Sequence, residues 1–347
     1  GEGAGRELDE LLWRTPLFHI RNSAGQAGEE DVALASDLAL ALRGLADRRG
    51  GKLVSQPHEV LETAPSPPSG ASDRLHHLQR DLATLVGMIG RRQPRQLKRG
   101  GISKSSLKEV AAFLLADSDP GYPEFLMLFA ESAGLVKPDG RVWTAAERAG
   151  SKLEDEGRVR KALLTFWYGT DRWNEWTSDR SGSAGPRKRA EELREIRRAV
   201  VQGLMHCEVG RWIAYPQFYQ LLVRTSEAFR AFTEYPGGKG ALSSGGTTAD
   251  ELLRRMLRGA LAWTGVVQIG NPDAYNTPLH QDSNGIFRLT DPGHTLAMGK
   301  RPEIPRRTSP EARYTIQPNL EVLSPPDLPY THYIELHKLA DLQGIDV

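Results

Sequence analysis

Residues 126–150 read LMLFAESAGLVKPDGRVWTAAERAG, and residues 257–296 hold a longer counterpart that contains LRGALAWTGVVQIG and GIFRLTDPGHTL. Both stretches begin with an apolar helical pattern that ends at a glycine. A turn follows, and then a short strand that ends in threonine, at Thr144 or Thr290. Because threonine is a good N-cap, each stretch predicts that a further helix starts there.

A shorter helical pattern precedes each of these stretches, over LKEVAAFLLA (107–116) in the first half and GRWIAYPQFYQLLVR (210–224) in the second. The order helix, helix, strand, strand, with a turn between the strands, is the winged-helix plan. In that plan the second helix can lie in a major groove, and the hairpin touches the backbone or the minor groove. The sequence therefore predicts two tandem winged-helix modules, in which Gly134 and Gly265 end the second helix.

The whole chain is expected to be α+β and predominantly α-helical, with four regions. They are residues 1–72, an acidic helical region with a Pro/Ser-rich linker; 73–180, the first winged-helix module with flanking helices; 187–299, the second module; and 313–347, which the family resemblance given below implies to be the incomplete start of an α/β domain. Local patterns also predict a helix over 31–46, a strand over 313–323 and a helix over about 330–343.

The charge of the chain is balanced overall but unevenly distributed. It has 347 residues and a formal net charge of +1, from 45 basic and 44 acidic side chains. Residues 1–40 hold eight carboxylates and three arginines, whereas residues 91–108 hold seven lysines and arginines and no acid. A uniformly basic, histone-like protein is excluded, but a local nucleic-acid surface is not. The acidic segment is the better candidate for contact with a basic protein partner.

The sequence gives no sign of catalytic or metal chemistry. The single cysteine, Cys207, rules out an intramolecular disulfide and a zinc site built from several thiolates, and it is expected to be a small buried hydrophobe. PGGKG at 236–240 lacks the spacing of a Walker A loop, and no acidic helicase box is present. We therefore predict no enzyme, no cofactor and no metal. No secretory signal and no apolar run of roughly 18–20 residues is visible, which predicts a cytoplasmic protein that does not span a membrane.

Other conspicuous residues have structural interpretations. The charged helix at 187–198 is expected to be solvated and self-paired, through pairs such as Glu191 with Arg194. The tryptophans Trp143, Trp167, Trp173 and Trp176 are expected to pack in the core, although Trp143 could instead serve as a stacking platform on the first wing.

LKRGGISKSSLKEVA (97–111), followed by SAGLV and RVWT, resembles the first winged-helix module of bacterial helicase-associated proteins that carry an XPB-type helicase N-terminal domain. RAVVQGLMHCEVGRWIAYPQFYQLL (198–222) and LAWTGVVQIG with FRLTDPG are similar to the second module. Residues 314–342 resemble the opening of the XPB-type domain, which in the family continues well past the end of this chain. The resemblance covers about residues 97–347 and implies DNA binding, or docking beside a superfamily 2 helicase, in DNA repair or defence.

Candidate DNA contacts fall in three places. In the basic stretch and the helix start that follows it, phosphate contacts are expected from Arg91, Arg92, Arg95, Lys98, Arg99, Lys104, Ser105 and Lys108. Arg141 would lie on the first wing, and Arg254 and Arg258 share one face of the longer helix in the second module. The alternatives are a solvated charged surface and, for the serines, ordinary N-capping by Ser103 or Ser105.

Two functional hypotheses follow. The first is a non-enzymatic, helicase-associated DNA-binding module that positions itself on phosphates, with duplex or forked DNA and a superfamily 2 helicase or another protein as partners. The second is a protein–protein docking scaffold for a helicase or for a defence or repair complex, without direct DNA binding.

Overall fold

The computed structural model describes residues 18–20, 32–34, 61, 68, 77–97, 101–115, 121–175, 186–234, 248–270, 285–305 and 308–340. The chain divides into two compact units, Gly1–Val60 and Leu61–Val347. In the first unit, strands β1 (Phe18–Ile20) and β2 (Val32–Leu34) pair antiparallel. The helix predicted over 31–46 is wrong at residues 32–34, because cross-strand pairing takes up the backbone groups that a helix would use. The rest of that prediction lies outside the described residues.

In the second unit, the described elements make an α+β fold that is mostly helical, as predicted. The first half contains α1 (Leu78–Arg92), α2 (Lys104–Ala111), α3 (Tyr122–Ser132), β3 (Val136–Asp139), β4 (Val142–Ala145), α4 (Ala149–Leu153) and α5 (Glu156–Gly169). The second half contains α6 (Pro186–Leu204), β5 (Trp212–Ala214), α7 (Tyr215–Thr225), α8 (Glu227–Glu234), α9 (Ala249–Met256, continued by a π-helical turn, Leu257–Leu261), β6 (Val267–Gly270), β7 (Ile286–Leu289) and α10 (Asp291–Ala297). The last part contains β8 (Thr315–Ile316), β9 (Val322–Leu323) and α11 (Tyr330–Leu339).

The two halves build their sheets in the same way. In the second half β7 lies in the middle, antiparallel to both β5 and β6. In the first half β3 and β4 form an antiparallel hairpin, and Arg95 adds an isolated bridge to Val142 on the other side of β4. Each hairpin therefore pairs through its second strand with a chain segment that precedes α2 in the first half and α7 in the second.

The helices that lead into the two hairpins end with the same backbone geometry. Gly134 and Gly265 both have positive φ, 61° and 74°. In each case the residue after the glycine donates its N–H to a carbonyl five residues earlier, over 2.8 Å. A left-handed residue closed by such a bond is a common helix C-terminus, and glycine adopts it without strain. The prediction that glycine ends these helices is confirmed.

The threonines that close the two hairpins have different roles. Thr290 is the N-cap of α10, and its Oγ1 accepts a hydrogen bond from the Gly293 N–H over 2.8 Å. Thr144 lies inside β4, and α4 begins only at Ala149, after a turn. The N-cap prediction is therefore confirmed at Thr290 and wrong at Thr144, because β4 extends one residue beyond that threonine.

One hydrophobic core runs through the second unit and joins its two halves. The central contact is between α3 and the helix that begins as α9, where the Trp263 ring lies 5.2 Å from the rings of both Tyr122 and Phe125. Beside it, the fully buried Arg160 of α5 donates to the Thr264 carbonyl over 2.7 Å. The three domains predicted within 73–347 thus share one core.

The segment predicted as a strand over 313–323 is instead a small hairpin. β8 and β9 pair antiparallel around Pro318 and Asn319, and the Asn319 Oδ1 accepts from the Glu321 N–H over 3.1 Å. Proline cannot donate to a ladder, and asparagine favours turns, so the alternating pattern is broken in its middle. The helix predicted after it is present as α11 and packs along α1.

Several predictions about buried residues are confirmed. Trp143 and Trp167 are fully buried, while Trp173 is partly buried and packs against the core. Trp176 lies outside the described residues. Cys207 is buried, and burial raises the pKa of its thiol to about 12.

The described residues contain neither a membrane-spanning helix nor a cluster of metal-ligand side chains. None of the helices found there combines the length and apolarity needed to cross a membrane. The same residues contain no group of three or more His, Cys, Asp or Glu side chains arranged to hold a metal ion.

Candidate nucleic-acid interface

The described residues of the basic stretch lie at the end of α1, beside the hairpin and at the start of α2. Arg91 and Arg92 occupy the last turn of α1, which ends at Gln93 in the left-handed conformation, with φ 44°. Arg95 then bridges Val142, and the Gln96 N–H donates to the Arg141 carbonyl over 2.8 Å. This pairing places Arg95 and Arg141, both exposed, on neighbouring extended segments.

The chain reaches α2 after a loop that contacts the hairpin. The Trp143 Nε1 donates to the Gly101 carbonyl over 2.9 Å, and this bond ties the loop to β4. The two basic residues of this loop, Lys98 and Arg99, lie outside the described residues. Trp143 is therefore a core residue with its indole N–H occupied, and it offers no face for stacking.

The start of α2 presents hydroxyls and two lysines. Ser103 is the N-cap, and its Oγ accepts from the Ser106 N–H over 3.1 Å. Ser105 is exposed, and its hydroxyl lies 2.8 Å from that of Ser103. Lys104 and Lys108 are exposed one turn apart on the same face of the helix. Capping is thus assigned to Ser103, and the lysines keep their charges at the surface.

Arg92, one of the predicted phosphate contacts, already has a protein partner. Its guanidinium forms an ion pair with Glu109 of α2, and the two side chains are 45% and 54% exposed. The pair crosses from the end of α1 to α2. Glu109 partly neutralises the charge of Arg92, and a phosphate contact there stays a prediction.

The prediction that Arg254 lies on an exposed helix face of the second half is wrong. It is 7% exposed, its Nε donates to the Asp250 Oδ1 over 3.0 Å, and its guanidinium lies 4.5 Å from the centre of the Tyr215 ring. The Tyr215 hydroxyl donates to the same carboxylate over 2.8 Å. Arg258, in the π-helical turn, is half-buried. We therefore remove Arg254 from the candidate interface.

The two helices expected to enter a groove are themselves largely buried, and the rings of Tyr122 and Phe125 in α3 pack against Trp263 at the end of the α9 helix. In α3 every residue from Phe125 to Ala130 is buried, and the two fully exposed side chains are Glu124 and Ser132. The helix formed by α9 and its continuation is buried from Met256 to Trp263, apart from the half-buried Arg258. A helix in these positions cannot reach base edges without separating the two halves.

Besides Arg92, five of the predicted contacts on the first half are exposed basic residues, and we call these five the basic surface: Arg91, Arg95, Lys104, Lys108 and Arg141. The structure adds Lys338 of α11, whose Cε would lie 3.5 Å from a Cβ placed on Gly90. Nothing local in the sequence relates Lys338 to α1, since the two positions are separated by most of the chain. Only the docking of α11 brings them together.

The positive charge of this region also affects a buried histidine. His337 of α11 packs on α1, where a Cβ placed on Gly87 would lie 2.4 Å from the His337 Cβ. Burial and then the charges of Arg80 and Arg91 lower the pKa of His337 to about 4. The imidazole is therefore neutral in the folded protein at neutral pH.

A cavity of about 570 Å³ opens between the end of α1 and α2, next to the basic surface. Sequence patterns gave no sign of it, because it is formed by residues of two helices and the segment between them.

Comparisons with family models, with curated proteins and with solved structures found no match to this chain.

Proposed function

We propose that the second unit consists of two winged-helix modules and that the protein is a non-enzymatic DNA-binding module, associated with a helicase, which contacts the phosphate backbone through the basic surface. The observation that carries the proposal is the joining of the basic stretch to the hairpin, through the Arg95–Val142 bridge next to Arg141. The described segment around Arg95, which belongs to an acid-free basic stretch, thereby lies against the hairpin, the part of a winged helix that touches DNA backbone.

The topology supports the winged-helix part of this proposal. Each half runs helix, extended segment, helix, helix, hairpin, and the extended segment pairs with the second strand of the hairpin. In the second half an additional helix, α8, lies between α7 and α9. The matching helix ends at Gly134 and Gly265 are further support, because they place both hairpins in the same way after the preceding helix.

The burial of α3 and α9 favours one mode of binding over another. A winged helix that uses its second helix in the major groove would read base edges. Here the exposed positive charge lies at the end of α1, at the start of α2 and on the hairpin. Contacts from these positions would reach phosphates, which position a protein without reading sequence. We therefore expect weak or no sequence preference and a strong dependence on salt.

Charge reversal at the basic surface tests the proposal. The double variant Arg95→Glu, Arg141→Glu is expected to weaken binding to a short duplex by about tenfold or more, because two phosphate contacts become repulsive. It should also reduce the slope of log affinity against log salt concentration by about two, because each lost phosphate contact lowers the slope by about one. A matched control is Arg158→Glu, Lys161→Glu, which reverses two exposed charges of α5. Fluorescence anisotropy at several salt concentrations measures both quantities, and equal losses in the two double variants would contradict the proposal.

The docking scaffold is a second candidate, and one observation favours it. Four large apolar side chains of the β8–β9 hairpin region are exposed: Tyr314, Ile316, Leu320 and Leu323. Exposed apolar groups of this kind are often found in protein–protein contacts. Under this hypothesis a superfamily 2 helicase is the partner. The wild-type protein would then show no DNA binding even at low salt in the experiment above.

A further inference from the structure

The cavity between α1 and α2 has an apolar floor and a polar rim. The floor is formed by Met88, Ile89, Pro94, Ile102 and Val110, and the rim by Arg91, Arg92, Ser106 and Glu109. Among the floor residues, Ile89, Ile102 and Val110 are each less than 10% exposed. Its volume of about 570 Å³ falls within the range of roughly 300–1,000 Å³ that small-molecule sites occupy. The lining suits a small group that has an apolar part and an anionic end.

We propose that this cavity receives an unstacked base from DNA that has unpaired nucleotides, such as a fork or a single strand. The inference rests on the function proposed above and specifies which DNA is preferred. The base would lie on the apolar floor, while its phosphate would face Arg91 and the start of α2. Charge complementarity decides the class of occupant, because the surface that continues from this rim carries Arg95, Lys104 and Lys108.

The Arg92–Glu109 pair supplies a flat surface at the mouth of the cavity. Bases that leave a stack are often held against aromatic rings or against the plane of an arginine guanidinium. The described lining residues include no aromatic ring but two arginines, Arg91 and Arg92, and Glu109 holds the Arg92 guanidinium between the two helices. A side chain that is already held by an ion pair loses less conformational freedom when a base stacks on it.

Unpaired nucleotides fit this cavity better than a duplex does. In a duplex both faces of a base are stacked and its edge is paired, so bringing it into a protein cavity costs stacking and pairing energy. A base in an unpaired arm has no such cost. The proposal therefore predicts a preference for forked or single-stranded DNA that is independent of sequence, since the floor presents no ordered set of donors and acceptors among the described residues.

The test compares a blunt duplex, a forked duplex with the same number of phosphates, and a single strand, by fluorescence anisotropy at one salt concentration. The wild-type protein is expected to bind the fork about tenfold more tightly than the blunt duplex, as stacking of one base would provide. Ser106→Phe places a ring in the cavity, so the preference should disappear while affinity for the blunt duplex stays within about twofold. Ser105→Phe, at the exposed neighbouring position, is the matched control and should keep the preference.

A second variant removes the stacking surface without filling the cavity. Arg92→Gln is expected to lose most of the preference for the fork. Its control is Arg172→Gln, because Arg172 is also 45% exposed and also forms an ion pair, with Glu131 over 2.6 Å. Circular dichroism establishes that each variant is folded, and Arg92→Gln decides the question if Ser106→Phe does not fold.

The outcomes separate the two proposals. Equal affinity of the wild-type protein for all three probes would overturn the assignment of the cavity and leave DNA binding intact. A preference that survives in Arg92→Gln, or in a folded Ser106→Phe, would also overturn it. Failure of the wild-type protein to bind any of the probes at low salt would instead remove the proposed function itself.

Discussion

Two arginines show how much of this protein depends on single buried charges. Arg160 and Arg197 are both fully buried, and each reaches from its own half of the second unit toward the other. Arg197 of α6 donates to the carbonyls of Trp167 and Trp173 and to Glu175 over 2.5, 2.9 and 2.8 Å. A buried guanidinium is tolerated only when carbonyls and a carboxylate satisfy it in this way. These bonds hold α6 against the end of α5.

The charged helix at 187–198 illustrates why such residues escape sequence reasoning. Its six basic residues look alike in the sequence, and the pattern predicted a solvated, self-paired helix. That prediction is wrong at Arg197, whose partners lie 22 to 30 positions earlier in the chain. Helical periodicity could have placed Arg197 on the buried face, since Leu193, Ile196 and Val200 are buried beside it. Periodicity could not predict which carbonyl and carboxylate groups would accept the hydrogen bonds of its guanidinium.

His337 gives a prediction at the same scale. The pKa of His337 is lowered from 6.5 to about 4. Between these two pH values the folded protein keeps the imidazole neutral, whereas the unfolded chain binds a proton there. The stability that comes from the neutral form is therefore complete above pH 6.5 and is lost as the pH falls toward 4, by up to about 3 kcal/mol. Urea unfolding across this pH interval measures the loss.

The substitution that isolates this effect is His337→Gln, which removes the titrating group. The variant should be less sensitive to pH than the wild-type protein between pH 6.5 and 4. His332→Gln, at an exposed position of the same helix, should leave the pH dependence as it is. Identical curves for the wild-type protein and His337→Gln would contradict the assignment.

The helix ends at Gly134 and Gly265 belong to the scale of the element, because each sets the angle at which a hairpin leaves its helix. Sequence reasoning succeeded here, since a glycine after an apolar helical run is a local signal. It failed at Thr144, which has the same local context as Thr290 but lies in a strand that continues to Ala145. The extent of a strand depends on its partner, and here Thr144 and Ala145 pair with Lys137 and Val136 of β3.

Gly134→Ala tests the importance of the helix end. The left-handed conformation costs a residue with a Cβ about 1–2 kcal/mol, so the free energy of unfolding should fall by that amount. The side chain that meets the new Cβ is Lys152, whose flexible Nζ lies 3.3 Å away and can move. Thermal or urea unfolding gives the value.

Gly169→Ala is the control for that measurement, because Gly169 lies at the end of α5 and a Cβ there meets nothing within 4 Å. It should leave stability unchanged or raise it slightly, since alanine narrows the unfolded ensemble. A loss at Gly169 as large as that at Gly134 would show that backbone conformation is not the cause.

On the scale of the whole molecule, the two halves of the second unit are joined more closely than the sequence indicated. The repeat, the helix order and the basic stretch were all visible from sequence, and they placed most of the basic surface. The mutual burial of α3 and α9 was not visible, because each helix alone has the apolar pattern of an ordinary core helix. The mistaken placement of Arg254 has a more local cause, since Asp250 and Tyr215, which bury its guanidinium, lie in the same half.

Trp263→Ala tests whether this contact makes the second unit a single cooperative body. Trp263 is 2% exposed and its ring contacts those of Tyr122, Phe125 and Trp173. Truncating a buried aromatic side chain costs about 3–5 kcal/mol, and we expect the unfolding transition of the unit to move as a whole. Urea unfolding followed by circular dichroism and by fluorescence should give coincident curves.

Trp212→Ala provides the comparison, because Trp212 is only partly buried in β5 and should cost less stability. If Trp263→Ala separates the unfolding of the second unit into two steps, the halves are independently stable and their contact is an accessory one. A shift without separation supports a shared core.

The docking of α11 on α1 also constrains the order of events while the chain is being synthesised. α1 ends at Arg92 and α11 ends at Leu339, so about 250 residues must be added before the helix that covers Gly87 exists. At roughly 5–20 residues per second, the surface around Gly87 and Thr84 stays uncovered for some tens of seconds on a growing chain. The first half therefore leaves the ribosome with a groove open along its first helix.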